Sequence, residues 1–280
     1  MTTAIVTDST AYLSEDEIKD LNIHVVPLSV IFEGESYEEG VDLDVGTFYK
    51  KVREEKELPK TSQPPIGKFV SLFEKLAKDY DEVVTIHLSS GISGTYQGAV
   101  QAGEMVKNLD VHGFDSEIAC YVQGFYVIEA GKMAKQGASA KEIIAKLEEM
   151  KKTVRAYFMV DDLAHLQRGG RLSAASALIG GLLQVKPILH FQDKVIVPFE
   201  KIRTRKKALK RIEDLLGEDV AVHPNIKASV IHGNCEEEGK EWMHVLQEKY
   251  PSVEFTLSYF GPVIGTHLGE GSLGLGWYRK

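Results

Sequence analysis

The chain has 280 residues, 43% apolar and 26% charged, enough for one large or two medium domains, each with its own core. Its net charge of −8 and pI near 5.7 argue against general binding to nucleic acid or to an anionic membrane surface. No stretch reaches the roughly 18 apolar residues of a membrane-spanning helix, and the opening "MTTAIVTDST" carries no export signal. Cys120 and Cys235 stand far apart without CxxC spacing, so neither a disulfide framework nor a zinc site is expected. These features predict a cytoplasmic protein with no integral membrane contact.

The first half alternates strand-like and helix-like runs. "AIVT" (4–7) is a short buried-strand pattern that leads into Asp8, Ser9 and Thr10. Ser14 with Glu17 makes a capping box for a short helix. "HVVPLSVIF" (24–32) is rich in β-branched residues and reads as a strand. Asp44 is placed to cap the helix that follows it. "KTSQPP" (60–65) breaks the chain, and Pro65 suits the first turn of the next helix. "EVVTIHL" is a buried strand, "YQGAVQAGEMV" and "YVIEAGKMAKQG" are helical, and Ser139 opens another helix. This alternation predicts a parallel-sheet α/β domain over residues 1–153.

Residues 154–280 have a different rhythm. "RAYFMV" (155–160) is a strand, followed by Gly169-Gly170 and the apolar helix candidate "SAASALIGGLL". "VKPILHF" and "VIVPFEKI" are joined by "QDK", a hairpin signal. A basic helix, a strand "KASVIHG" and a helix near 236–249 come next. Adjacent strands joined by a turn predict a mixed sheet, hence a second α/β domain.

Three polar segments carry the functional signal. "SSGISGT" (89–95) follows a strand and opens a helix, where ligands gather in an open parallel sheet. Unpaired N–H groups, the helix dipole, glycines 91 and 94, and the hydroxyls of Ser93 and Thr95 together suit a phosphate or a carboxylate. Neither the GxxxxGK[ST] loop nor GxGxxG spacing is present, so no nucleotide cofactor is expected. Simple N-capping explains the same residues as well. Thr61 and Ser62 supply hydroxyls on a proline-stiffened loop, and capping or turn formation again explains them equally. Asp8 should emerge at the same sheet edge; without a metal-spaced cluster, a hydrogen-bonding role is expected for it and no metal is expected. His267 sits in a glycine-rich segment, "GPVIGTHLGEGSLG", as an exposed turn or as an anion donor. A hydrolase built on Ser93 lacks the GxSxG elbow and a recognisable third triad member.

Taken in order, "TDST", "TSQPP", "SSGISGTYQGA", "LQRGGRLSAASALIGGLLQVKPIL", "KIRTRKKAL" and "GPVIGTHLGEGSLGLGWY" closely resemble the DegV family, bacterial fatty-acid-binding subunits of fatty acid kinase. The likeness runs from residue 4 to residue 278. It implies two α/β domains with a long-chain fatty acid such as palmitate in a tunnel between them. On this resemblance Thr61, Ser93 with the Gly94 amide, and His267 bind the carboxylate, with Ser62, Thr95 and Thr266 flanking them. It also implies an ATP-binding kinase subunit as partner, contacted by Arg171 and Arg203, and no catalysis by the chain itself. Two departures stand out. Glu270 replaces the proline expected in "GTHxGPG", and "SEIACYVQGFYV" (116–127) keeps Gln123-Gly124 but is otherwise unusual. The alternatives are a small serine esterase or acyl-phosphate hydrolase using Ser93, and a nucleic-acid regulator using the basic run 201–211. The acidic total charge and the absence of a reading motif disfavour the regulator.

Overall fold

The computed structural model describes residues 2–55, 57–172 and 187–280. They fall into two compact units, Met1–Leu43 with Thr61–Lys152 and Asp44–Lys60 with Thr153–Lys280. In chain order the first part contains β1 (Thr3–Asp8), α1 (Glu15–Leu21), β2 (Ile23–Val26), β3 (Ser29–Phe32), β4 (Glu35–Glu38) and α2 (Val45–Glu54). Then come β5 (Lys60–Ser62), α3 (Ile66–Leu76), β6 (Glu82–His87), α4 (Thr95–Met105), β7 (Asp110–Asp115), α5 (Cys120–Lys135) and α6 (Ala140–Lys151).

In the first unit β2-β1-β6-β7 form a wholly parallel sheet. Its central strands are buried throughout β1 and, after the half-buried Glu82, along the rest of β6, as a sheet covered on both faces requires. On one face Phe69, Phe73 and Leu76 of α3 and Ala99 and Ala102 of α4 close over Ala4, Val6 and Val83. On the other, α5 buries residues around its whole circumference, which explains why its sequence lacks a clear polar stripe. The expected capping box at Ser14–Glu17 forms, Ser139 opens α6 as expected and makes a second capping box with Glu142, and Asp44 caps α2 through the Thr47 amide.

Three local expectations change. The run 24–32 is two strands broken at Pro27, because proline cannot donate to a ladder. The second of them, β3, joins β4 and β5 in a separate sheet. Its hairpin turn uses Glu33 (φ 48°) and Gly34 (φ 92°), the left-handed pair that a two-residue turn demands. Thr61 and Ser62, expected in a loop, lie on the short strand β5.

The second unit contains α2, β8 (Arg155–Met159), α7 (Ala164–Arg168), β9 (Ile188–Gln192), β10 (Val195–Glu200) and α8 (Arg205–Val222). It continues with β11 (Ile226–His232), α9 (Glu236–Lys249), β12 (Glu254–Tyr259), α10 (Pro262–Leu268) and β13 (Leu273–Arg279). Its sheet, ordered β10-β9-β8-β13-β11-β12, is mixed: only β11 and β12 run parallel. The turn between β9 and β10 uses Asp193 (φ 48°) and Lys194 (φ 72°), again a left-handed pair. Trp242, Leu246, Ile212, Leu216 and Trp277 anchor its core. The helix candidate "SAASALIGGLL" lies outside the described residues.

A single boundary near residue 153 does not describe this division. Asp44–Lys60 belongs with the second unit because α2 packs against α10. Tyr49 donates its hydroxyl to the Phe260 carbonyl at 2.9 Å. A Cβ at Gly265 would fall 2.7 Å from the Tyr49 hydroxyl and 2.9 Å from the Phe48 ring, so the close approach of α10 requires glycine there.

Candidate functional site

The parallel pairing of β1 with β6 brings Asp8 and the start of the serine loop to one sheet edge, as expected. Asp8 is fully buried. One of its carboxylate oxygens accepts from the Thr10 amide and hydroxyl, at 3.0 and 2.6 Å. The other accepts from the Leu88 amide at 3.0 Å and from Gln123 Nε2 at 3.2 Å, and lies 2.9 Å from His87 Nδ1. Asp8 is therefore a structural hub joining β1, β6 and α5, and it fixes the residue from which the serine loop departs. Gln123 and Gly124 belong to the same junction. A Cβ at Gly124 would lie 2.9 Å from the Ala11 carbonyl oxygen, so α5 seats on the Asp8 turn only with glycine at that point.

Within the loop, Ser90 Oγ donates to Asp115 at 2.5 Å and the Gly91 amide donates to Ser89 Oγ at 3.3 Å. The hydroxyls of Ser93 and Thr95 lie 2.9 Å apart, and the Thr95 amide donates to Ser93 Oγ at 3.3 Å. Gly94 is the N-cap of α4 and supplies no side-chain cap. Capping by Ser93 is thus real but incomplete. When Thr95 donates to Ser93, the Ser93 proton is left for an external acceptor, and a hydroxyl that accepts in this way is a stronger donor. Thr61 is half-buried on β5, and Gln63, two residues on, reaches the serine loop: its Oε1 lies 2.1 Å from where a Gly94 Cβ would be. The "TSQPP" and "SSGISGT" segments are thereby adjacent within one unit. Ser62 Oγ turns to the carbonyl of Gln63 at 3.2 Å.

In the second unit His267 is not in an exposed turn. It occupies the last turn of α10, half-buried, and α10 packs against α7. Gly169 makes room for its ring, since a Cβ there would fall 2.3 Å from His267 Nδ1. Burial first, then the nearby charges of Arg171 and His165, push the imidazole down to about 4, so it is neutral at neutral pH. A neutral ring offers one N–H donor without a positive charge. Thr266 is buried and donates its hydroxyl to the Pro262 carbonyl one turn back, at 2.9 Å. Glu270 is held away from an independent role. Arg53 Nε meets it at 2.9 Å and Asn234 Nδ2 at 2.7 Å, and these donors, Arg53 foremost, hold its carboxyl below the usual range.

Of the basic residues, Arg205 pairs with Glu238 and Asp161, Lys210 with Asp214, and Arg211 with Glu200 and Glu218. Lys201, Arg203, Lys206 and Lys207 are exposed cations of the run that lie outside those pairs. Arg171 is half-buried, and its Nη1 donates to the Gly169 carbonyl at 2.6 Å. One potential ligand cluster escaped the sequence, because strand pairing creates it: Glu82 faces Asp110, and His112 lies on the same face of β7. Thr3 and the Ala140 amide engage Glu82, and His112 Nε2 lies 3.1 Å from an Asp110 carboxylate oxygen.

The His267 environment has a pH signature. The unfolded histidine titrates near 6.5, the folded one near 4, so between these values the unfolded chain binds the extra proton. The contribution is complete above about 6.5 and is lost as pH falls toward 4. Urea unfolding of wild type and His267→Gln across pH 4–7 should show a shallower acid loss in the variant. Parallel curves would contradict the buried neutral ring.

Comparison with known proteins places this architecture, a parallel-sheet unit and a mixed-sheet unit with polar loops at the strand ends, among DegV folds. The solved structure of "DegV, a fatty acid binding protein from Bacillus subtilis" superimposes with a TM-score of 0.96 at 59% identity over 100% of both chains. A stearic-acid-binding protein from Eubacterium ventriosum gives 0.89 at 28% identity, with 99% of this chain and 98% of that one covered. In sequence, Protein DegV of Bacillus subtilis is 60% identical over 281 residues, the whole of each chain. The DegV family model, described as "Uncharacterised protein, DegV family", matches residues 2–280. The chain belongs to the DegV family.

Proposed function

We propose that this protein binds one long-chain fatty acid, such as palmitate, and presents its carboxylate to a separate ATP-binding kinase subunit for acyl-phosphate formation, without catalytic turnover of its own. Thr61, Ser93, the Gly94 amide and His267 are the carboxylate partners in this reading, with Ser62, Thr95 and Thr266 flanking them. The observation that carries it is the serine loop, where the Thr95 amide donates to Ser93 Oγ and the two hydroxyls lie 2.9 Å apart at the start of α4, a pair able to donate to an anion beyond the loop. A neutral His267 adds a donor without drawing a second anion. The fatty-acid-binding proteins of the same fold support the ligand class.

The energetics divide between tail and head. Each buried methylene contributes about 0.8 kcal/mol, so about fourteen give on the order of 10 kcal/mol before the costs of association. Hydrogen bonds to the carboxylate set orientation. A serine esterase would need a base on Ser93. Within its unit that hydroxyl meets Thr95, while the nearby His87 is turned to Asp8 and Thr85. Among the described residues no helix is long and apolar enough to cross a membrane.

Arg171 and Arg203 are the proposed contacts to the kinase, since an arginine fork suits the anionic groups of such a partner. Arg203 is exposed just ahead of the Thr204 cap of α8, while Arg171 lies near His267. Charges at an interface rim chiefly change association rate and its salt dependence. In an assay reconstituted with the kinase, Arg171→Ala and Arg203→Ala should keep bound lipid yet lower acyl-phosphate formation, with the wild-type rate falling as salt rises. Loss of fatty acid from either variant, to the degree seen in Ser93→Ala, would move that arginine into the pocket.

A further inference from the structure

We propose that the side-chain amide of Gln63 is an additional head-group donor, a specificity element that favours an anionic, hydrogen-bond-accepting ligand over the serine loop. The inference rests on the fatty-acid reading above. Gly94 and Gly98 stand one turn apart on the same face of α4, and Gln63 covers both positions. Its Oε1, Cδ and Nε2 lie 2.1, 3.0 and 3.3 Å from where a Gly94 Cβ would be, and Nε2 lies 3.7 Å from that of Gly98. Any side chain at 94 would evict the amide, so the glycine there serves Gln63 as well as backbone approach. A packing role alone would be met by an apolar side chain. Yet this one is polar and exposed, and among the described residues its amide makes no hydrogen bond. Pro64 and Pro65 follow it directly, and strand β5 precedes it, so its backbone is held at both ends. An amide has two N–H donors and can turn them toward an anion. Ser93, the residue before Gly94 in the loop, carries a hydroxyl 2.9 Å from that of Thr95 that can donate to an external acceptor. Two such donors match in number the two oxygens of one carboxylate.

The test is retention of radiolabelled palmitate by wild type, Gln63→Ala and Gln63→Glu, with circular dichroism confirming the fold. Gln63 is exposed, so both variants should fold. Gln63→Ala removes one donor to a charged group and should weaken retention about tenfold. Gln63→Glu keeps the size and replaces the donor with a repelling carboxylate, so it should weaken retention more than alanine does. Retention in Gln63→Ala within about twofold of wild type overturns the inference, as does a glutamate variant that binds as well as wild type. Failure of the wild-type protein itself to bind palmitate would instead overturn the fatty-acid reading on which the inference depends.

Discussion

Asp8→Ala should cost the protein on the order of 4 kcal/mol or more and lower the melting temperature by roughly 10 °C. The carboxylate is fully buried and accepts from the Thr10 amide and hydroxyl, the Leu88 amide and the Gln123 amide, beside His87. Truncation leaves several of these donors buried without an acceptor, at about 1–3 kcal/mol for each group not rescued by water. Asp8→Asn keeps the volume but turns an N–H₂ toward donors on one side, so it should recover only part of the loss. Thermal and urea unfolding of the three proteins decide the matter. A change below about 1 kcal/mol in Asp8→Ala would mean that the hub does not hold β1, β6 and α5 together.

Ser93→Ala and Thr61→Ala should leave stability nearly unchanged while weakening fatty-acid retention by about tenfold to a hundredfold each. A hydrogen bond to a charged group contributes roughly 1.5–3 kcal/mol, and each tenfold change in affinity is about 1.4 kcal/mol. Because the apolar tail supplies most of the affinity, binding should be weakened and not abolished. The two hydroxyls lie on separate elements, the serine loop and β5, so their effects should add unless both serve one oxygen. Retention equal to wild type in both variants would remove these residues from the site. Hydrolysis of a simple ester by wild type that disappears in Ser93→Ala would favour the esterase alternative.

Much of this architecture was legible because local signals were strong. A capping box at Ser14–Glu17, a parallel β/α alternation and a turn-linked strand pair in the second half defined two α/β units. What escaped notice depended on contacts distant in sequence. Strand β7, "DVHGFD", is half polar because it lies at the sheet edge, so it lacks the apolar run that marks β1 and β6. Helix α2 reads as a continuation of the first half, and contacts distant in sequence, the Tyr49 bond to Phe260, the close approach at Gly265 and the Arg53–Glu270 pair, assign it to the second unit. His267 reads as a loop residue because glycines flank it. A seven-residue helix with Pro262 in its first turn holds it instead, and no local periodicity could reveal so short an element. The charge of Glu270, a concern in the linear sequence, is met by Arg53, 217 residues away. Gln63 carried no signal of its own, since its significance lies in the two glycines beneath it.

The most direct measurement is mass spectrometry of lipid released by denaturing the purified, bacterially produced protein. One long acyl chain per subunit is expected, lost in proportion when Ser93 and Thr61 are replaced together. Stoichiometric nucleotide or inorganic phosphate with no fatty acid would contradict it.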